Sequence, residues 1–386
     1  MKPRVFFYVQ HLLGIGHLRR AATLARVLAA NGFDVLLVSG GAPTPLETGA
    51  ARVYQLPPVR ARDDSLRELA QLDGAPLDDH FRADRTRELL GLFHAEAPNI
   101  LITEQFPFGR TQLRFELLPL IEAAKALRPR PLIVSSVRDV VRRSASPQRI
   151  AETIETFEAF DFAMIHADPV LVGFGRSFTG WERVKDRAFY TGYVVEADLG
   201  SPTGGAGTGE VIVSVGGGAV GAPLLRAAVE ARPLGPLADR TWRLLLGADV
   251  PAHARAGLEA AGAGFVVEAA RSDFATLLRN ATLSISQAGY NTVIETLCCA
   301  DRAVLVPFGT DRETEQADRA GLLAERGMVA TVPAGGLSPE SLAAAVRRAL
   351  AGPSIRSFPP CDSRGAAAPA DSSSASDASS EADPDE

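Results

Sequence analysis

His17 stands at the end of the run Gly14-Ile15-Gly16-His17, close behind the apolar segment Val5-Phe6-Phe7-Tyr8-Val9. An imidazole with an ordinary pKa of about 6.5 can take a proton from a hydroxyl at neutral pH. A helix starting at that point puts its positive end beside the ring, which disfavours the imidazolium and keeps the base available. The competing reading is a capping or structural histidine. His11 is a weaker companion, and Arg19 and Arg20 read equally well as solvated helix residues. Glu104 closes the apolar run Ile100-Leu101-Ile102-Thr103, so its carboxylate falls where a buried strand should stop. It can orient His17, hold a substrate hydroxyl, act as the base itself, or make a turn or salt bridge. Arg138, in Ser135-Ser136-Val137-Arg138-Asp139, offers a cation at another strand end, for a substrate or phosphate contact or for solvated ion pairing.

A second constellation lies far along the chain. Ser286-Gln287-Ala288-Gly289-Tyr290-Asn291-Thr292 follows an apolar strand pattern and runs at once into a helix rich in Val293, Ile294 and Leu297. Free backbone N–H groups in a first helical turn, helped by Ser286, Asn291 or Thr292, can cradle a diphosphate. Glu295, further into the helix, repels phosphate but accepts hydrogen bonds from a ribose diol. In the next loop, Pro307 to Gln316, Glu315 and Gln316 are suited to sugar hydroxyls, and Arg312 to a phosphate or to Glu315. Ser214-Val215-Gly216-Gly217-Gly218 places three glycines behind another apolar strand. Gly216 and Gly217 allow close approach of a ligand or of the opposite domain, with a flexible loop as the alternative.

Both constellations need a strand that stops and a helix that begins. Val5–Val9, Leu18–Ala30 and Phe33–Val38 give a strand-helix-strand unit by pattern and length. Strands are also expected at Val53–Leu56, Ile100–Thr103, Leu132–Ser135, Phe162–His166 and Phe189–Val194, with helices at Arg85–Ala95 and Glu116–Leu127. The charged, leucine-spaced segment Asp63–Asp84 predicts helices or an excursion above the sheet. Residues 1–195 therefore form one α/β domain, and 196–209, rich in Gly, Ser, Pro, Thr and Ala, a linker. A second series covers 210–352, with strands at Val211–Val215, Trp242–Leu246, Phe265–Val267, Ala281–Ile285 and Ala303–Val306. Its last helix, Ser341–Leu350, is announced by Ser338 or Leu337 near the cap and by Pro339 in the first turn. Residues 353–386 are too small, polar and acidic to form a core and are expected to be disordered.

The 386 residues, 46% of them hydrophobic, suit two domains with substantial cores. Seven acidic residues and two arginines after Gly352 account for most of the net charge of −6. The remainder is nearly neutral, which excludes a basic nucleic-acid footprint. Cys298, Cys299 and Cys361 have no disulfide spacing, and the acidic residues form no pattern with histidine that would hold a metal. Arg19 and Arg20 interrupt any signal-peptide core, and no apolar run reaches the roughly 18 residues of a membrane span. The expectation is a cytoplasmic protein with no cofactor, open to a peripheral membrane contact.

These residues resemble the GT-B glycosyltransferases, in particular the bacterial lipid II N-acetylglucosaminyltransferase family and a related group of predicted bacterial glycosyltransferases. Gly14-Ile15-Gly16-His17 matches that family's glycine loop, shortened, and Ser214–Gly218 its second loop. Ser286-Gln287-Ala288-Gly289 with Asn291, Thr292 and Glu295 is similar to its donor signature, and Glu315-Gln316 to its sugar-binding pair. Tyr290 and Asn291 depart from the residues common at this point, so base and sugar do not carry over directly. The resemblance implies two facing Rossmann-like domains of GT-B type. It further implies sugar transfer from a nucleoside diphosphate sugar, UDP favoured, to an unidentified acceptor, without a metal and with inversion. Gly14, Gly16 and Arg138 would bind the acceptor, with His17 or Glu104 as base. The donor would be bound by Gly216, Gly217, Ser286, Gln287, Ala288, Gly289, Asn291, Thr292, Glu295, Glu315 and Gln316. A nucleotide-sugar epimerase or hydrolase, and a non-catalytic nucleotide-sugar-binding protein, are the rival readings.

Overall fold

The computed structural model describes residues 2–12, 14–62, 68–143, 146–195, 199, 204–215, 221–247, 250, 252–260, 262–308 and 314–359. Val5 to Val9 are almost wholly excluded from solvent, as a parallel strand covered on both faces must be. They lie in β1 (Arg4–Val9), followed by α1 (Gly16–Ala30), β2 (Asp34–Ser39) and β3 (Arg52–Gln55). After a hairpin of β4 (Val59–Ala61) and β5 (Leu69–Gln71) come α2 (Asp79–Glu96), β6 (Ile100–Glu104) and α3 (Arg114–Ala126). The lobe is completed by β7 (Leu132–Arg138), α4 (Pro147–Phe157), β8 (Phe162–His166) and β9 (Ala188–Tyr190). Among the described residues its main sheet has seven parallel strands in the order β3-β2-β1-β6-β7-β8-β9.

The second lobe repeats the plan. It contains β10 (Val211–Ser214), α5 (Ala222–Ala231), β11 (Trp242–Leu246), α6 (Ala252–Glu259), β12 (Phe265–Ala269) and α7 (Phe274–Asn280). It continues through β13 (Leu283–Ser286), α8 (Tyr290–Cys299), β14 (Ala303–Leu305), α9 (Glu315–Glu325), β15 (Ala330–Thr331) and α10 (Pro339–Ala351). The parallel order is β12-β11-β10-β13-β14-β15. In each sheet the winding reverses beside the first strand, between β1 and β6 and between β10 and β13. Ligands of open α/β sheets bind beyond the carboxyl ends of the strands at such a reversal. His17 and Glu104 belong to one reversal, Ser286 to the other.

Several expectations are corrected. Among its described residues, Asp63–Asp84 is helical only from Asp79, where it enters α2. Its described part supplies β5 in a hairpin with β4, and 63–67 lie outside the described residues. Helix α2 starts at Asp79 rather than Arg85, because the Asp78 carboxylate accepts from the Phe81 amide at 2.7 Å and caps it. The predicted strand Phe189–Val194 shortens to β9. Of the linker, 196–198 and 200–203 are outside the described residues. Its end packs on α7, where the Asn280 amide donates to the Ala206 carbonyl at 3.0 Å. The fold does not stop at Gly352. Ile355 is buried and its amide donates to the Asp301 carbonyl at 2.8 Å, so an apolar residue hidden among small polar ones extends the packed chain; 360–386 lie outside the described residues. For α10 the expectation holds, with Ser338 as cap, Pro339 in the first turn and a reciprocal bond to Ser341.

The lobes touch through a continuous apolar cluster that includes Phe106, Phe174 and Tyr193 from the first and Ala288, Tyr290 and Leu297 from the second. Within it sits an ion pair. The Arg319 guanidinium donates from Nε and Nη2 to both carboxylate oxygens of Asp139, each at 2.6 Å, and both side chains are essentially without solvent contact. Removing one partner leaves the other as a buried, unmatched charge. Asp139→Ala is therefore expected to lower the unfolding free energy by about 3–5 kcal/mol. Arg319→Met in the same chain should recover much of that loss. Urea unfolding of the single and double variants checks both outcomes.

Candidate active site

Helix α1 begins at Gly16 with Ile15 at the cap and no side chain closing its first turn. His17 lies in that turn, and its Nδ1 is 3.0 Å from Glu104 Oε1. Glu104 is fully buried at the end of β6. Its Oε1 also receives Arg20 Nη2, and its Oε2 accepts from the Ser136 hydroxyl at 2.6 Å. Ser136 Oγ is 2.9 Å from His166 Nε2, and His166 Nδ1 is 2.8 Å from Thr191 Oγ1. A hydroxyl has one proton. Since Ser136 gives its proton to the carboxylate, His166 must donate from Nε2 to Ser136 and accept at Nδ1 from Thr191. The result is a buried chain from His17 to Thr191, whose hydroxyl also lies 3.0 Å from the Gly192 carbonyl.

Burial, then the charges of Arg110, Arg138, Arg20 and His11, hold the His17 pKa well below its ordinary value. His166 is held down in the same way, by burial and then by Arg20. Both rings are neutral at pH 7. A neutral His17 facing a carboxylate donates from Nδ1, beside which Arg20 Nη2 also lies at 3.2 Å, and its Nε2 then carries the lone pair. Of the sequence readings of Glu104, the structure shows a salt bridge, to Arg20, together with the contact to His17. Arg20 is not a solvated residue: it is buried, bound to Glu104, and its guanidinium lies 4.8 Å from the centre of the Tyr290 ring. Arg138 is paired with Glu315 of the other lobe, in an ion pair that is largely buried rather than solvated.

In the second lobe the chain leaves β13 at Ser286 and enters α8 at Tyr290, with Gly289 at the cap and no side chain closing the turn. Gly289 has an ordinary φ of −63°, and a Cβ built there meets nothing within 4 Å. The glycine leaves space rather than relieving strain. Ser286 and Ala288 are buried, whereas Gln287, Gly289, Asn291, Thr292 and Glu295 are half-buried. Arg319 donates to the Ala288 carbonyl at 2.8 Å and fixes that peptide's orientation. Ser286 Oγ is buried with no partner. Gln316 Oε1 accepts from the Phe308 amide at 3.0 Å. Gly216, Gly217 and Arg312 lie outside the described residues.

The two turns face each other. A Cβ on Gly16 would lie 3.6 Å from Asn291 Nδ2, so the start of α1 meets the start of α8. The structure brings together His17, Glu104, Gly16, Arg138 and Glu315 with the 286–292 turn. Gly14 is exposed on the loop leading to α1, with nothing within 4 Å of its Cβ position. Ser136, His166, Thr191 and the Asp139–Arg319 pair escaped the sequence analysis as site residues. Ser136 and Asp139 stood in a run already singled out, but nothing local marks a partner so far along the chain. Two surface hollows, of about 570 Å³ beside Lys2, Arg4 and Asn99 and about 380 Å³ beside Arg302 and Arg348, lie away from these turns. Among the described residues no group of three or more His, Cys, Asp or Glu is placed to hold a metal ion.

Residues 212–357 match the family model of the glycosyltransferase family 28 C-terminal domain. This chain is a glycosyltransferase. By sequence alone no curated protein matches. Its fold is the GT-B fold of solved glycosyltransferases. The glycosyltransferase of kitacinnamycin superposes with a TM-score of 0.61 at 15% identity, covering 91% of each chain. The calicheamicin glycosyltransferase CalG4 gives 0.60 at 14%, again over 91% of each. MurG of Acinetobacter baumannii gives 0.54 at 16%, over 89% of this chain and 90% of its own. No helix of the described residues in this glycosyltransferase is long and apolar enough to cross a membrane.

The neutral histidines make folding sensitive to acid. A histidine whose folded pKa is depressed stabilises fully above its unfolded value of about 6.5 and loses that contribution as pH falls towards the folded value. The melting temperature is therefore expected to drop as pH is taken from 7 to 5. In His166→Gln, which removes one of the titrating rings, the drop should be smaller. Thermal unfolding of the two proteins across that range checks the difference.

Proposed function

We propose that the protein transfers a sugar from a nucleoside diphosphate sugar, with UDP as the nucleotide, to a hydroxyl or amine acceptor, without a metal ion and with inversion. The observation that carries this reading is the meeting of the two helix starts, Gly16 against Asn291, with a held base on one side and an open glycine turn on the other. The first lobe takes the acceptor, and residues 210–352 take the donor. The lipid II enzyme resemblance favours UDP. A structurally similar plant glycosyltransferase, UGT2 of Phytolacca americana, was solved with UDP-2-fluoro-glucose and pterostilbene.

In the transfer step the acceptor oxygen gives its proton to His17 Nε2 and attacks the anomeric carbon from the side opposite the diphosphate. The bond from that carbon to the diphosphate oxygen breaks, and its electron pair leaves with the diphosphate. Main-chain N–H groups at the start of α8, held through the Ala288 carbonyl by Arg319, receive the growing negative charge. Glu104 steadies the imidazolium formed on His17. Glu295 serves the ribose diol, and Glu315 with Gln316 the sugar hydroxyls. Gly216 and Gly217, outside the described residues, are assigned to the donor on the sequence reading alone. Gly14 and Gly16 leave room for the acceptor beside His17.

Incubating candidate nucleotide sugars with acceptors tests the reaction: nucleotide release that depends on the acceptor supports transfer, whereas release without it means hydrolysis. His17→Ala should keep nucleotide affinity while transfer falls by about 10²–10⁴-fold. Normal turnover in that variant removes His17 as the base. Because the base works unprotonated and titrates below 6.5, the transfer rate should hold at pH 6.5 and decline only in more acid solution. Gly289→Val fills the open turn and should weaken nucleotide binding by about tenfold or more with little change in melting temperature, the loss of one charge-assisted contact or more. Calorimetric titration with UDP reads the affinity.

A further inference from the structure

Four buried side-chain nitrogens around His17 have no hydrogen-bond partner: His11 Nδ1, Arg20 Nε, Gln105 Nε2 and Arg138 Nε. Among the described residues the other such nitrogen is Arg26 Nε. His11 follows β1, Gln105 follows β6 and Arg138 ends β7, so three of the four sit at the carboxyl ends of neighbouring strands. An unsatisfied buried donor costs about 1–3 kcal/mol, and several gathered at one strand edge point to a ligand that brings acceptors. Arginine and amide nitrogens can only donate.

The backbone gives an independent sign. Gln105 and Arg110 have φ of +68° and +60°, in the left-handed region that side chains seldom adopt. The third such non-glycine residue of the described chain, Ala97, ends a helix, where that conformation is ordinary. The loop between Gln105 and Arg110 is tied down. The Gly109 amide donates to the Gln105 carbonyl at 2.8 Å, the Thr103 hydroxyl to the Phe106 carbonyl at 3.0 Å, and Arg110 Nε to the Gln10 carbonyl at 2.9 Å. Strain held this firmly beside a base is a mark of a functional loop. Positive charge collects there too. Arg110 bears on both His11 and His17, while burial and the nearby Arg319, Arg20 and Arg110 pull the Arg138 pKa down to about 9. Arg20, Arg138 and Arg319 are matched by Glu104, Glu315 and Asp139; an anion, unlike a polyol, answers the donors and also brings counter-charge to Arg110.

We propose that the acceptor entering the first lobe carries an anionic group, a carboxylate or a phosphate, received by Gln105, Arg110 and Arg138 beside His17. This rests on the sugar-transfer reading and names its acceptor class. The anion anchors one end of the acceptor so that its nucleophilic oxygen or nitrogen reaches the imidazole. Arg138, already joined to Glu315, carries that contact to the edge of the donor lobe.

The test titrates sodium phosphate and sodium acetate, at constant ionic strength, into the full-length protein with and without UDP. The His17 ring is followed by NMR, its signal identified by its loss in His17→Gln. A saturable shift that raises the His17 pKa is expected with phosphate or with acetate, and the anion that binds more tightly gives the class. Arg110→Gln should weaken that binding by about tenfold or more, as loss of a charge-assisted contact does, and Arg110→Lys should retain most of it. Absence of a saturable shift with either anion, or unchanged affinity in Arg110→Gln, overturns the proposal. UDP binding is read in the same samples. If UDP binds and neither anion does, the acceptor class falls and sugar transfer stands; if UDP does not bind, sugar transfer falls, and the anion titration is judged without it.

Discussion

A carboxylate buried away from water must be surrounded by donors, and Glu104 gathers three. His17, Arg20 and Ser136 come from the helix after β1, from one turn further along it, and from the neighbouring strand β7. Each is needed by the others. Arg20 supplies the counterion of Glu104 and Ser136 the donor to its second oxygen, while Glu104 and Arg20 both lie against His17 Nδ1. The buried chain continues to His166 and Thr191, so the orientation of one imidazole is fixed by atoms on four strands and loops of the same lobe.

The same network reaches the second lobe through Tyr290. Its ring lies beneath the Arg20 guanidinium and beside Tyr193, and its hydroxyl donates to the His166 carbonyl at 2.8 Å. Arg319 repeats the logic from the other side, holding Asp139 of the first lobe and the Ala288 carbonyl of the second. The turn from Ser286 to Tyr290 is therefore braced by the lobe it faces. The start of α1 and the start of α8 are thereby coupled, through the Arg20 contact with the Tyr290 ring and the Arg319 bonds to Asp139 and Ala288.

Glycine plays different parts at the two helix starts. At Gly16 the missing side chain lets α1 approach Asn291, a matter of lobe-to-lobe distance. At Gly289 the missing side chain leaves open space beside a helix start that no side chain caps. Both sit at a reversal in the winding of a parallel sheet, where adjacent loops diverge to opposite faces and leave a crevice between them.

The amino-acid pattern alone determined the two parallel α/β lobes, most strand positions, the last helix with its cap, and the two turns that carry His17 and Gly289. Those features are local: a continuous apolar run, a glycine stop and a helical period are written in consecutive residues. The pairing of His17 with Glu104 was legible only as one option among several, because both residues stood at strand ends on the expected edge. Tertiary structure alone decided that Arg20 is buried rather than solvated, that Arg138 meets Glu315, and that Asp139 meets Arg319. Ser136, His166 and Thr191 likewise join one chain only once their strands lie side by side. Partners of that kind are separated by tens to nearly two hundred residues, and what matches them is burial, which forces every charge and donor to be answered by whatever group the packed sheets bring near.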